Sequence, residues 1–169
     1  TLNWSSGANW TGGVAPGTSD VATIDGVDGI VNYAYVDSSR TIQRFTVATN
    51  NGNSGGIEVR NGGSLTASLT NNVSYVGARG TGYLRILSGG SVATSNILHV
   101  GWGDASGHGV GTVTQSGGSY TGNTTAGNIT IGVAAADANF PASVGTYNLS
   151  GGTINLGGSL VVGMAGTGN

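Results

Sequence analysis

The chain has 169 residues, enough for one domain, and it carries 34 glycines, two prolines and no cysteine. Charged residues make up 7% and the net charge is −2, with arginine as the sole basic residue type, so the electrostatic footprint of a nucleic-acid binder is missing. The absence of cysteine excludes disulfides and thiolate metal sites, no run reaches the roughly 18 apolar residues of a membrane helix, and two prolines without a triplet period exclude collagen.

The first segment, Asn3 to Gly26, reads NWSSGANWTGGVAPGTSDVATIDG. Trp4 and Trp10 are expected to close or join the end of a larger stack, because large rings bury much area. Asp25-Gly26-Val27-Asp28-Gly29 follows, the one close acidic pair in the chain, with Arg40 and Arg44 further on. Asp25 and Asp28 are the candidate ligands for a hard cation such as calcium. A solvated turn is the reading preferred here, since Asp and Gly are ordinary turn residues, and no cofactor is expected.

From residue 57 onward the chain speaks in units. Glycine pairs recur at Gly62-Gly63, Gly89-Gly90, Gly117-Gly118 and Gly151-Gly152, at steps of 27, 28 and 34 residues. Each pair is followed by Ser or Thr and then an apolar residue: Leu65, Val92, Tyr120 and Ile154. Each unit ends on a second marker, a branched residue before glycine, at Val76-Gly77, Val100-Gly101, Ile131-Gly132 and Val162-Gly163. Short runs with apolar residues at every second position read as strands, and glycine marks corners where the chain turns through positive φ or passes close to another backbone. Units of this period cannot bury an apolar face alone, so stacking must supply the core. The expectation is all-β: a single β-solenoid (β-helix) domain over 1–169, about three strands per coil, with residues 1–56 as N-terminal cap and first coils and 57–169 as four repeats. The two marker sets should form two inward columns.

The repeats are not in perfect register. Ile57 and Val59, or Leu84 and Ile86, stand one residue farther from their glycine pair than Tyr147 and Leu149 do. A one-residue slip would reverse the strand, so the first two units should have a longer corner instead. Gln115 falls at the position of Leu149 and is expected to face inward with hydrogen-bond partners. Outward Thr153 and Asn155 are expected in stacked polar ladders.

His99 and His108, with Asp104 near His108, are candidates for a metal site; exposed residues without a ligand are the plainer reading. Tyr75 and Trp102 are candidate sugar platforms, weighed against packing. Six Asn-x-Ser/Thr triplets begin at Asn3, Asn9, Asn72, Asn123, Asn128 and Asn148, a number that the Asn, Ser and Thr content alone produces readily.

The opening segment and the glycine-punctuated units together resemble large bacterial secreted β-solenoid proteins, including autotransporter-type passengers and their surface-protein relatives. That resemblance implies an extracellular or cell-surface location and an elongated, usually non-catalytic fold. It brings no catalytic motif to carry over.

The ends have a pattern of their own. Val162 to Asn169 resembles Val76 to Tyr83, the lead-in to another strand, and Thr1 to Gly7 resembles Thr146 to Gly152. Joined tail to head, the grammar continues, as it would in a polymer or in a segment of a longer repeat protein. Self-association is therefore expected through Thr1, Leu2, Asn3, Trp4 and Trp10 at one end and Gly166, Thr167, Gly168 and Asn169 at the other, giving a structural filament or matrix of copies of the chain itself. The other readings are an adhesin that binds surface glycans and a polysaccharide-active β-helix enzyme. Low charge and repetition favour the structural role.

Overall fold

The computed structural model describes residues 2–26, 32–123 and 125–169. It is an all-β solenoid in which strands of successive coils stack in parallel along three ladders. The first ladder runs through Leu2–Asn3, Tyr33–Val36, Ser54–Val59, Thr81–Ile86 and the leading parts of Val110–Gly122 and Val144–Leu156 to Thr167–Gly168. The second holds Ser39–Ile42, Ser64–Ala67, Ser91–Thr94 and the trailing parts of the two long strands. Val21–Ile24, Arg44–Val47, Ser74–Val76, Leu98–Val100, Ile129–Ile131 and Leu160–Val162 make the third.

Side-chain alternation puts every second residue of each strand into a shared interior. Leu65, Val92, Tyr120 and Ile154 align as one column, the first three fully buried. Val76, Val100, Ile131 and Val162 align as another, which extends upstream through Val47 and Ile24. Both expected columns are thus present. Thr153 and Asn155 lie outward, in line with Ser119 and Thr121 of the coil before.

The corner after the first ladder explains the register. In the first two repeats the chain turns through Arg60 to Gly63 and Leu87 to Gly90 with the first glycine of the pair at positive φ, +79° at Gly62 and +75° at Gly89. In the next two the strand continues around the bend and the second glycine takes that conformation, Gly118 at +63° and Gly152 at +86°. The extra residue is absorbed in the corner and the inward face is kept; between the two long strands the register shifts at Gln115–Ser116 and Ser116–Ser119, where they round the bend. The coil is consequently not three separate strands throughout, because Val110–Gly122 and Val144–Leu156 each span two ladders.

At the second marker Gly77, Gly101, Gly132 and Gly163 all have φ between +67° and +72°. Ala48 stands one coil earlier in the same place, at φ +58°. The coil from Tyr33 to Val47 therefore belongs to the same stack, although it lacks a glycine pair and ends on Val47-Ala48.

Gln115 is completely buried. Tyr147 donates its hydroxyl to Gln115 Oε1 at 2.6 Å, and Gln115 Nε2 donates to the Thr153 carbonyl at 3.0 Å, so the one amide in this column is satisfied by the coil that follows.

Candidate functional site

The two ends differ chemically. At the N-terminal end Trp4 is wholly buried in its own chain and packs edge-on to Trp10, ring centroids 4.8 Å apart at 60°. Trp10 Nε1 donates to the Trp4 carbonyl at 2.8 Å. The Asn3 carbonyl, on the outer edge of the first strand, accepts from Asn9 Nδ2 at 2.9 Å and from the Ser6 N–H at 3.2 Å. Arg40, at the top of the column above Leu65, reaches up to Ser5 Oγ at 2.7 Å and Ser38 Oγ at 2.9 Å. Residues 4–10 thus form a lid on the first coil. Of the residues expected to meet a second copy, Trp4 and the edge at Asn3 are used within the chain, whereas Leu2 and Trp10 stay half-buried. Thr1 lies outside the described residues.

At the C-terminal end the interior opens. Leu149, Leu160 and Val162 hold inward positions in their columns and are 53%, 53% and 51% exposed, and Met164 is 64% exposed. Residues 153–156 pair only with the coil above, as does Leu160–Val162. Thr167–Gly168 pairs with Val144–Gly145, and Gly166 accompanies it with its N–H on the Gly132 carbonyl. The Asn169 carbonyl accepts from the Tyr147 N–H at 2.9 Å, which begins another first-ladder strand.

The carboxylates have architectural partners. Asp25 Oδ1 accepts from the Thr49 N–H at 2.7 Å and Oδ2 meets the Thr49 hydroxyl, tying the chain between two coils. Asp28 lies outside the described residues, so the acidic pair has no geometry to report. Among the described residues no three His, Asp or Glu side chains gather as cation ligands. Glu58, buried on the outer face of the first ladder, bonds Arg60 Nε at 2.6 Å and Arg85 Nη1 at 3.4 Å. Those guanidiniums lie over Tyr35 and Tyr33, at 3.5 and 4.5 Å from the ring centroids. Sequence reasoning passed over this cluster; its signal was that Glu58 and Arg85 sit one repeat apart and so stack directly.

Two long excursions leave at the corner from the third ladder to the first. One carries the hairpin Gly103–Asp104 with Gly107–His108, where Asp104 holds Arg79 through two contacts of 2.8 and 2.5 Å. That pairing keeps the Asp104 carboxyl down at about 2. His108 faces the next excursion, with Nε2 at 3.4 Å from Asp137 Oδ2 and Nδ1 against the Pro141 carbonyl. Asp137 is itself lowered, chiefly by the Asn139 and Phe140 N–H groups. His99 stands apart from both, on the outer face of the third ladder, so the structure does not bring the two histidines together. It is half-buried beside Tyr75 at 5.6 Å, with Nδ1 lacking a hydrogen-bond partner, and burial lowers it to about 4. Tyr75 also meets Trp102, centroids 5.1 Å apart, so the two aromatics singled out as sugar platforms do come together. No family model matches this chain, and neither a curated protein nor a solved structure matches it.

Proposed function

We propose that this chain is an extracellular structural β-solenoid that self-associates end to end into a filament or matrix. The observation that carries the reading is the C-terminal coil, whose inward positions Leu149, Leu160 and Val162 are exposed beside unpaired strand edges. A parallel stack in this state binds a further coil by backbone pairing and apolar burial together. A head-to-tail contact of this type does not close on itself, so it propagates. The lid changes which head residues take part: the exposed Val14, the half-buried Leu2 and Trp10, and the outer edge of Val21–Ile24 are available, and Trp4 is not. Extracellular location rests on the resemblance of the opening segment to secreted solenoids.

The test uses the purified chain in light scattering and negative-stain imaging, beside the double variant Leu160→Lys with Val162→Lys. Both side chains are half exposed, so charge there should leave the melting temperature nearly unchanged while ending assembly. Elongated particles that vanish in the variant are the expected result. A parent that stays monomeric at high concentration, or a variant that polymerises as before, overturns the proposal.

A further inference from the structure

We propose that the outer face of the third ladder carries a binding site for an acidic sugar, independent of any end-to-end assembly. A shallow cleft of about 280 Å³ lies there, and its walls include Thr23, Arg44, Thr46, Tyr75, Arg79 and Trp102. Thr23, Thr46, Tyr75 and His99 are stacked rungs of one outward column, and Arg44 stands on the neighbouring outward position of its strand.

The arginines of this chain divide in an informative way. Arg60 and Arg85 are paired with Glu58, Arg79 with Asp104, and Arg40 donates to two serine hydroxyls. Arg44 has neither a hydrogen bond nor an ion pair among the described residues, and its Nε is buried without an acceptor. A guanidinium partly removed from water and left unpaired is costly, and a carboxylate is the group whose geometry matches its fork. The cleft thus holds one unanswered cation, in a wall where the second guanidinium is already held by Asp104.

The rest of the wall selects a sugar over a bare anion. Tyr75 and Trp102 meet at 5.1 Å and 59°, and the Arg79 guanidinium lies 5.3 Å from the centre of the Trp102 ring, which fixes that ring against one side of the cleft. Rigid aromatic walls offer apolar contact for the C–H face of a pyranose, and the hydroxyls of Thr23 and Thr46 are matched to ring hydroxyls. The volume suits a single sugar ring. A uronate therefore places its carboxylate on Arg44 and its ring against Tyr75 and Trp102, whereas a neutral sugar leaves Arg44 unpaired and is rejected on that account.

The measurement is titration calorimetry of the full chain with oligogalacturonate, beside a neutral galactose oligomer and polyglutamate. Binding of the uronate oligomer is expected, with no measurable binding of the other two. Arg44→Gln should weaken it by roughly tenfold or more, the scale of a charged hydrogen bond, and Arg44→Lys by less. Thermal melts of both variants check that the coil is intact; Tyr75→Phe, which keeps the ring, should retain most of the affinity. Binding of polyglutamate as tight as the uronate would show that charge alone acts, and equal binding of the neutral oligomer would show that Arg44 does not select. Either result, absence of uronate binding, or an unchanged affinity in Arg44→Gln overturns the proposal.

Discussion

His99 shows how a single side chain acquires its properties from the stack. It lies outward in its strand, between the buried Leu98 and Val100, yet Tyr75 of the preceding coil covers it on one side and Thr130 of the next on the other. Burial lowers its pKa from 6.5 to about 4, so between those values the unfolded chain binds the proton and the folded chain does not. The stability linked to neutral His99 is therefore complete above about pH 6.5 and is lost as the pH falls toward 4. The contribution of Asp104 beside Arg79 fades only lower, as the pH drops from 3.8 toward about 2, so the two windows separate. His99→Thr, which continues the Thr46 and Thr130 rungs, should flatten the dependence of denaturant midpoint on pH in the upper window alone. A slope unchanged in that variant would place the titration elsewhere.

Among elements, the corners govern. The column at Ala48, Gly77, Gly101, Gly132 and Gly163 repeats a left-handed backbone in five successive coils, and Ala48 is the one non-glycine among the described residues to adopt it. The αL conformation costs an L-residue roughly 1–2 kcal/mol, while losing a buried methyl costs about 0.8 kcal/mol. Ala48→Gly should accordingly stabilise the chain by up to about 1 kcal/mol. Gly101→Ala should do the reverse and more strongly, by at least about 2 kcal/mol, because its Cβ would also lie 2.5 Å from the Val144 carbonyl carbon and 2.8 Å from the Gly145 nitrogen. Denaturant melts of the two variants check both signs. The glycine markers made these corners, the two core columns and the inward Gln115 legible in the sequence. First coils were expected within residues 1–56, but the bounds of the coil from Tyr33 to Val47 were not legible, since Ala48 holds the glycine place and Asp37-Ser38 the place of the pair. Nor was the cover over His99, which comes from residues a full coil away. Which glycine of a pair takes positive φ follows the corner length, the first where the corner is one residue longer and the second where the strand runs on around the bend.

At the scale of the molecule, each coil touches chiefly its neighbours, so damage at one end should stay there. Among the described residues Trp4 is the largest fully buried side chain, and it belongs to the apolar core at the N-terminal end of the stack. Trp4→Ala should cost about 3–5 kcal/mol locally, the range for a buried aromatic truncation. Hydrogen exchange should then speed up in residues 33–47 while protection at Val113 and Ile131 persists. Equal loss along the whole chain would mean that the coils melt as one unit. The same burial makes removal of residues 1–7 an uncapping of the core, so such a deletion cannot isolate a contact between copies.

The excursions at the corner between the third ladder and the first, residues 101–109 and 132–143, leave the coil and return to it without moving the strands on either side out of register. Val110 still aligns with Thr81, and Val144 with Val110, however many residues intervene. Length along this margin is thus uncoupled from the core. The chain can carry new segments there as a spine carries ribs, each displayed at a fixed height, and the composition of those segments is free to follow whatever the surroundings demand.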